Sequence, residues 1–253
     1  MLHEKQFASD LKDVYAGSED AYKNYVVRMV TAISLHKLEP QYAGLADSYY
    51  LAAMQLFEEV IRPRDLKSLQ SLVLIAQYSL LTPARMAVYF VVGLAVRISQ
   101  ATGLCFEKTI STAYNQGLES ALALDLRRRL SWIIMSLEFG LSETMGRPNA
   151  FGQSHDEIDL SFFSALDDEN ITEEGLLPGP DSERKLVAIH SSKMGIIQGE
   201  IRRVLYETHG HGPSDDNHPW FATMEQKIQS WLDESPEKPA WCKSWYVGAC
   251  THS

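Results

Sequence analysis

Leu118, Leu122, Leu126, Leu130, Ile133, Ile134, Leu137 and Leu141 recur at steps of three or four residues. That spacing draws one apolar stripe along an α-helix and cannot serve a strand, whose faces alternate at every second residue. From about Gln116 to Met145 it predicts a helix roughly 45 Å long at about 1.5 Å per residue. The rest of the chain must pack against such an element, and most of it carries the same period. Tyr22, Tyr25, Val26, Met29, Val30 and Ile33 share a face, with Ser18 placed to cap its start. Leu45, Tyr49, Ala52, Leu56 and Val60 predict one further helix ending at Arg62-Pro63, and Leu66, Leu69, Val73 and Leu80 predict the next. Thr82-Pro83 is expected to close that helix and open another, which runs to a C-terminal cap at Gly103.

The segment from Glu107 to Asn115 reads as a loop. Residues 149–181 hold Asp156, Glu157, Asp159, Asp167, Asp168, Glu169, Glu173 and Glu174 without sustained period, so an extended, largely surface connection is expected. Leu186, Ile189, Met194, Ile197, Ile201 and Leu205 resume the helical step, and Phe221, Met224, Ile228 and Trp231 form a last helix. No segment alternates with period two and no motif repeats at a fixed interval. The expected fold is therefore all-α, an irregular domain of seven to eight helices over residues 1–235, followed by an unpatterned tail at 236–253.

Charge and cysteine usage narrow the function. A formal net charge of −10 opposes contact with phosphate backbones, and the longest basic run is only Arg127-Arg128-Arg129. Cys105, Cys242 and Cys250 are odd in number and widely spaced, which argues against a disulfide framework. Met1 to Gln6 lacks the apolar core of a signal peptide. The apolar stretch Leu69 to Ile98 is broken by Gln77, Pro83, Arg85 and Arg97, so no membrane span is expected and the chain is read as soluble.

Catalytic or metal chemistry finds no support. His209, His211 and His218, with Asp215 and Asp216, sit in a Gly/Pro-rich break where polar residues are ordinary filler. His190, beside Ile189 and Met194, reads as a core-edge histidine, and Cys105 as an inert thiol rather than a nucleophile. No nucleophile elbow, phosphate loop or dinucleotide fingerprint is present. No catalytic residue, metal or cofactor is expected.

Residues 89–160 carry several motifs in order: Arg97-Ile98-Ser99-Gln100-Ala101-Thr102-Gly103-Leu104-Cys105, then Asp125-Leu126-Arg127-Arg128-Arg129-Leu130-Ser131-Trp132, then Ser142-Glu143-Thr144-Met145-Gly146-Arg147-Pro148 and Glu157-Ile158-Asp159. Together they resemble the signature portion of the middle regulatory region of fungal zinc-cluster transcription factors, with weaker similarity from Phe7 to Trp231. Cys105 stands where that family has a histidine, Ser131 where it has an aromatic, Glu138 where it has an aspartate, and Phe162-Phe163 where a proline turn is common. The structural signature carried over is Arg97, Gly103, Arg127, Arg128, Arg129, Trp132, Gly146, Arg147 and Pro148.

The three arginines diverge around a helix whose buried face holds Leu126 and Leu130, so they cannot act as one patch. Pairing with Glu119, Asp125 or an acid of residues 156–159 is expected, in preference to a phosphate- or partner-binding role. Gly146 suits a left-handed helix end, Pro148 forbids continuation, and Arg147 can anchor the loop.

The resemblance implies a nuclear regulator of transcription, pathway-specific in a secondary-metabolite gene cluster. It would act through other transcription regulators, a homo- or heterodimer partner, or a small-molecule effector. The family's six-cysteine zinc module would lie N-terminal to this region, and no Cys-x2-Cys pair occurs here, so sequence-specific DNA binding by this chain is not expected. The alternative is a helical fold recruited as a secondary-metabolism enzyme or apolar-metabolite carrier, with Trp132, Phe139, Phe151, Phe162 and Phe163 near its central loop.

Overall fold

The computed structural model describes residues 1–151, 159–207, 212–213 and 215–236. Asp156, Glu157, Ile158, His209, His211, Cys242, Cys250 and the tail from residue 237 lie outside the described residues. Within them the chain forms ten α-helices and no strand, beyond two isolated bridges, Leu166 with Asp181 and Ile171 with Leu176. No single helix among the described residues is long and apolar enough to cross a membrane.

One compact unit comprises Met1–Phe163 with Asp168–Pro178. It holds α1 (Glu4–Tyr15), α2 (Ala21–Leu38), α3 (Ala43–Met54), α4 (Phe57–Ile61), α5 (Leu66–Leu81), α6 (Val88–Thr102), α7 (Glu107–Asn115) and α8 (Ala121–Met145). Its centre is α5, which packs against α2, α4, α6 and α8. Eleven of the sixteen residues of α5 are buried, so it is enclosed nearly all round rather than on one stripe. Asp65 starts it by accepting the Ser68 N–H at 2.9 Å, while Ser68 Oγ accepts the Asp65 N–H, a reciprocal cap. The core around it includes Tyr25, Met29, Leu72, Ile75, Tyr78 and Leu130, each at most 1% exposed.

A second unit comprises Ser164–Asp167 and the chain from Gly179 onward. It holds α9 (Glu183–Arg202), a wider π-helical turn at Arg203–Glu207, and α10 (Pro219–Asp233). His218, the described histidine of the Gly/Pro-rich break, caps α10, its Nδ1 accepting the Trp220 N–H at 3.2 Å.

The helix count exceeds the expected seven to eight because short helices that bury few residues escaped the pattern. Helix α1 buries no residue, and α7, expected as a loop, buries only Ile110. The single helix expected over 45–60 is two, interrupted at Gln55-Leu56. Asp20, not Ser18, caps α2 by accepting from the Lys23 N–H. Thr82-Pro83 closes α5, but α6 begins only at Val88. The long helix starts at Ala121 rather than Gln116, because Gly117 turns left-handed (φ 70°) and Ser120 caps the Ala123 N–H; its 25 residues span about 37 Å. The acidic stretch is not wholly surface: Asp168 is buried and opens a 3-10 turn, Asp168–Asn170.

Candidate functional site

Helix α8 carries the arginine triplet, and the 100° step per residue sends the three side chains to three different acids. Arg127 pairs with Glu119 in the turn before the helix, and Arg128 with Glu107 at the start of α7. Arg129 is buried, its Nε donating to Asp125 Oδ2 at 2.5 Å and its Nη2 lying 2.7 Å from Asp168 Oδ1. Sequence reasoning named Glu119 and Asp125 but missed Glu107 and Asp168, because the first lay in an expected loop and the second lies 39 residues along the chain. The basic run is thus consumed by ion pairs.

The Arg128–Glu107 and Arg129–Asp168 pairs tie α8 to other segments, whereas Arg129–Asp125 lies within α8. Glu107 also accepts the Ser161 N–H at 3.1 Å. Burial pushes its carboxyl up, but Arg128 and the Ser161 N–H outweigh that and hold it below the usual carboxylate range. Asp168 reaches the N-terminal segment: its Oδ2 accepts the Glu4 N–H at 2.9 Å, and its backbone carbonyl accepts from His3 Nε2 at 2.8 Å.

Of the other signature residues, the glycines end helices. Gly103 ends α6 at φ 73°, and a Cβ there would sit 2.6 Å from Thr109 Cγ2. Gly146 ends α8 at φ 60°, followed by the Arg147 N–H donating to the Ser142 carbonyl at 2.9 Å. Gly146, Arg147, Pro148 and Arg97 are all exposed. Trp132 is buried, stacks on Phe162 at 4.5 Å and donates its indole N–H to the Ser161 carbonyl at 3.0 Å. The family departures have local work too. Ser131 Oγ donates to the Leu104 carbonyl at 2.7 Å, and buried Glu138 accepts the Ala150 N–H at 3.0 Å. Burial pushes the Cys105 thiol up to about 11, which keeps it protonated and unreactive at neutral pH.

Beside the Arg129–Asp168 network lies a cavity of about 330 Å³. Leu2, Phe7, Val26, Leu66 and Leu126 supply apolar wall, the last from α8 itself. Tyr22 and Gln70 also line it and satisfy each other, the phenol donating to Gln70 Oε1 at 2.6 Å and Gln70 Nε2 donating to the Met1 carbonyl at 3.0 Å. Lys67 lies over the Tyr22 ring, 5.0 Å from its centroid. His3 lines the same cavity; it is 4% exposed, and its Nδ1 has no hydrogen-bond partner among the described residues. Sequence reasoning had not singled out His3, since a lone histidine near a chain start carries no pattern.

The signature residues thus join helix ends and loops within an all-helical unit. Residues 1–233 match the family described as "Fungal specific transcription factor domain", and the chain belongs to that family. Its relatives include "Positive regulator of purine utilization" of Emericella nidulans, 30% identical over 165 residues, covering 55% of this chain and 15% of that protein. "Pyrimidine pathway regulatory protein 1" of Saccharomyces cerevisiae is 29% identical over 176 residues, covering 66% and 19%. "Transcriptional activator protein acu-15" of Neurospora crassa is 20% identical over 246 residues, covering 94% and 25%. The chain therefore spans only 15–25% of the length of these relatives. No solved structure matches it.

Proposed function

We propose that this chain is a pathway-specific transcription regulator, acting in a fungal nucleus on a secondary-metabolite gene cluster. It works through a homo- or heterodimer partner, another transcription regulator, or a small-molecule effector, and not through DNA contacts of its own. The observation that carries this reading is the family match over residues 1–233. Two relatives are named for single pathways, purine utilization and pyrimidine pathway regulation, which supports pathway specificity. The arginine triplet, the longest basic run, is spent on Glu119, Glu107, Asp125 and Asp168, and the net charge of −10 further disfavours phosphate binding.

The test is a tethering assay in which the chain is fused to an unrelated DNA-binding module upstream of a reporter. Reporter output should change relative to the module alone, in either direction. Output equal to that of the module alone overturns the reading. In parallel, an anisotropy titration at physiological salt should give no binding that survives a scrambled DNA competitor.

A further inference from the structure

We propose that Ser235 is a phosphorylation site for a proline-directed protein kinase, and that its phosphate is received by His190 and Lys193 and fastens α10 to α9. The inference goes beyond the regulatory reading above and does not depend on it.

Two tetrapeptides in the chain set a hydroxyl before a proline, with a basic residue at the third place after it: Thr82-Pro83-Ala84-Arg85 and Ser235-Pro236-Glu237-Lys238. A proline in the second place has no N–H and pushes the residue before it towards an extended backbone, which suits a kinase groove that asks for no donor there. The structure separates the two. Thr82 closes α5 with its Oγ donating to the Tyr78 carbonyl at 2.8 Å, and Arg85 is spent on Asp47. Ser235 follows the end of α10, lies outside any helix and is exposed. Helix ends open at little cost, so a kinase can draw this segment into its groove.

The transfer is ordinary phosphoryl chemistry. Ser235 Oγ attacks the γ-phosphorus of ATP, and the bond from that phosphorus to the β–γ bridging oxygen breaks. ADP leaves with the electron pair, and the hydroxyl proton passes to the base of the kinase. The product carries about 1.5–2 negative charges at neutral pH.

The surroundings of the hydroxyl decide what that charge does. Ser235 Oγ lies 3.2 Å from His190 Nε2. Lys193 stands one turn further along α9, and its Nζ reaches Glu234, the neighbour of Ser235, at 2.9 Å. Burial, then the Lys193 ammonium, hold the His190 imidazole below its usual range, with Glu234 pulling the other way. A phosphate at Nε2 favours the protonated ring, which then donates to it. Glu234 and the last carbonyls of α10 repel the same phosphate. Glu234 is exposed and can turn into solvent, releasing Lys193 to the phosphate, whereas His190 is held in place by its stack on Trp231 at 4.3 Å. The receiver is fixed and the nearest repelling side chain can move, so attraction prevails.

The full chain is incubated with ATP and a purified proline-directed kinase of the mitogen-activated class, and the phosphate is placed by peptide mass spectrometry. One phosphate on Ser235 is expected, with none on Thr82 and none in Ser235→Ala. Amide exchange is then compared before and after phosphorylation, with α5 as the reference. Exchange in α9 and α10 should slow about fivefold, with α5 unchanged. In a variant carrying His190→Phe, which keeps a ring on Trp231, together with Lys193→Met, Ser235 should still take the phosphate and the slowing should vanish. Each variant is compared with its own unphosphorylated form, so any change in its basal stability cancels. No phosphate on Ser235, phosphate on Thr82 instead, unchanged or faster exchange after phosphorylation, or equal slowing in the double variant would each overturn the proposal.

Discussion

Helices α5 and α9 have similar lengths and both show helical apolar period, yet α5 buries eleven of sixteen residues and α9 buries only Ser192 of twenty. The difference lies in what surrounds each. Helix α5 is enclosed by four others, so its polar groups had to be bonded inside the core, as Ser68 and Gln70 are. Helix α9 packs against α10 and depends on edge contacts: Lys193 with Glu234 at 2.9 Å, Lys227 with Glu200 at 2.7 Å, and His190 stacked on Trp231 at 4.3 Å. Period alone says that a helix has an apolar face; how many neighbours cover that face decides how much stability it returns. The first unit should unfold as one cooperative body and the second should open at lower cost.

The sharpest way to break that contrast is Arg129→Met. Removing the cation of a buried network leaves the Asp125 and Asp168 carboxylates without their shared guanidinium, and the expected cost is about 3–5 kcal/mol. Arg62→Ala, which deletes the exposed pair with Glu58, should cost about 0–1 kcal/mol. Urea unfolding of the two variants gives the comparison directly, and equal midpoints would refute the hub role of Arg129.

Next in size is a pair of glycines within the first unit. Gly103→Ala and Gly146→Ala both place a Cβ in a left-handed conformation, at about 1–2 kcal/mol each. Only Gly103 also meets a neighbour, Thr109 Cγ2 at 2.6 Å, whereas Gly146 has nothing within 4 Å. The drop in melting temperature should be clearly larger for Gly103→Ala. Gly146→Val should still lower it, because a β-branched residue is disfavoured there.

In the second unit, Trp231→Phe keeps a ring against His190 but deletes the indole donor to the His190 carbonyl, a 2.8 Å bond. A loss of about 1 kcal/mol is expected, visible as faster amide exchange in α9 and α10 with α5 unchanged.

The smallest effect concerns pH. Glu107 has a folded-state pKa below its unfolded value, so its contribution is fully present above the ordinary carboxylate range and is lost as pH falls through the depressed value. Glu107→Gln should flatten the acid limb of the stability curve and leave the region above pH 7 parallel to the parent.

Much of the fold was legible because an apolar face repeats over several turns in long helices: α2, α5, α8, α9 and α10 all announce themselves. The short ones do not. Helix α7 spans only nine residues with a single buried position, Ile110, so its repeat has little length in which to show. Both left-handed caps were readable from Gly103 and Gly146, since only a glycine is at ease there. The ion-pair partners were readable only where they lie within about two turns of the arginines. Asp168 and His3 became visible only in three dimensions.

The contact between His3 and Asp168 joins residues 165 apart in the chain. During synthesis at about 5–20 residues per second, roughly 8–33 seconds separate their appearance. Through that interval α1 has no anchor on Asp168, and the side chain of Arg129 must wait a further 39 residues for its second acid. The earlier-made segment is thus secured only late, and a chaperone that holds the emerging α1 would act during that wait.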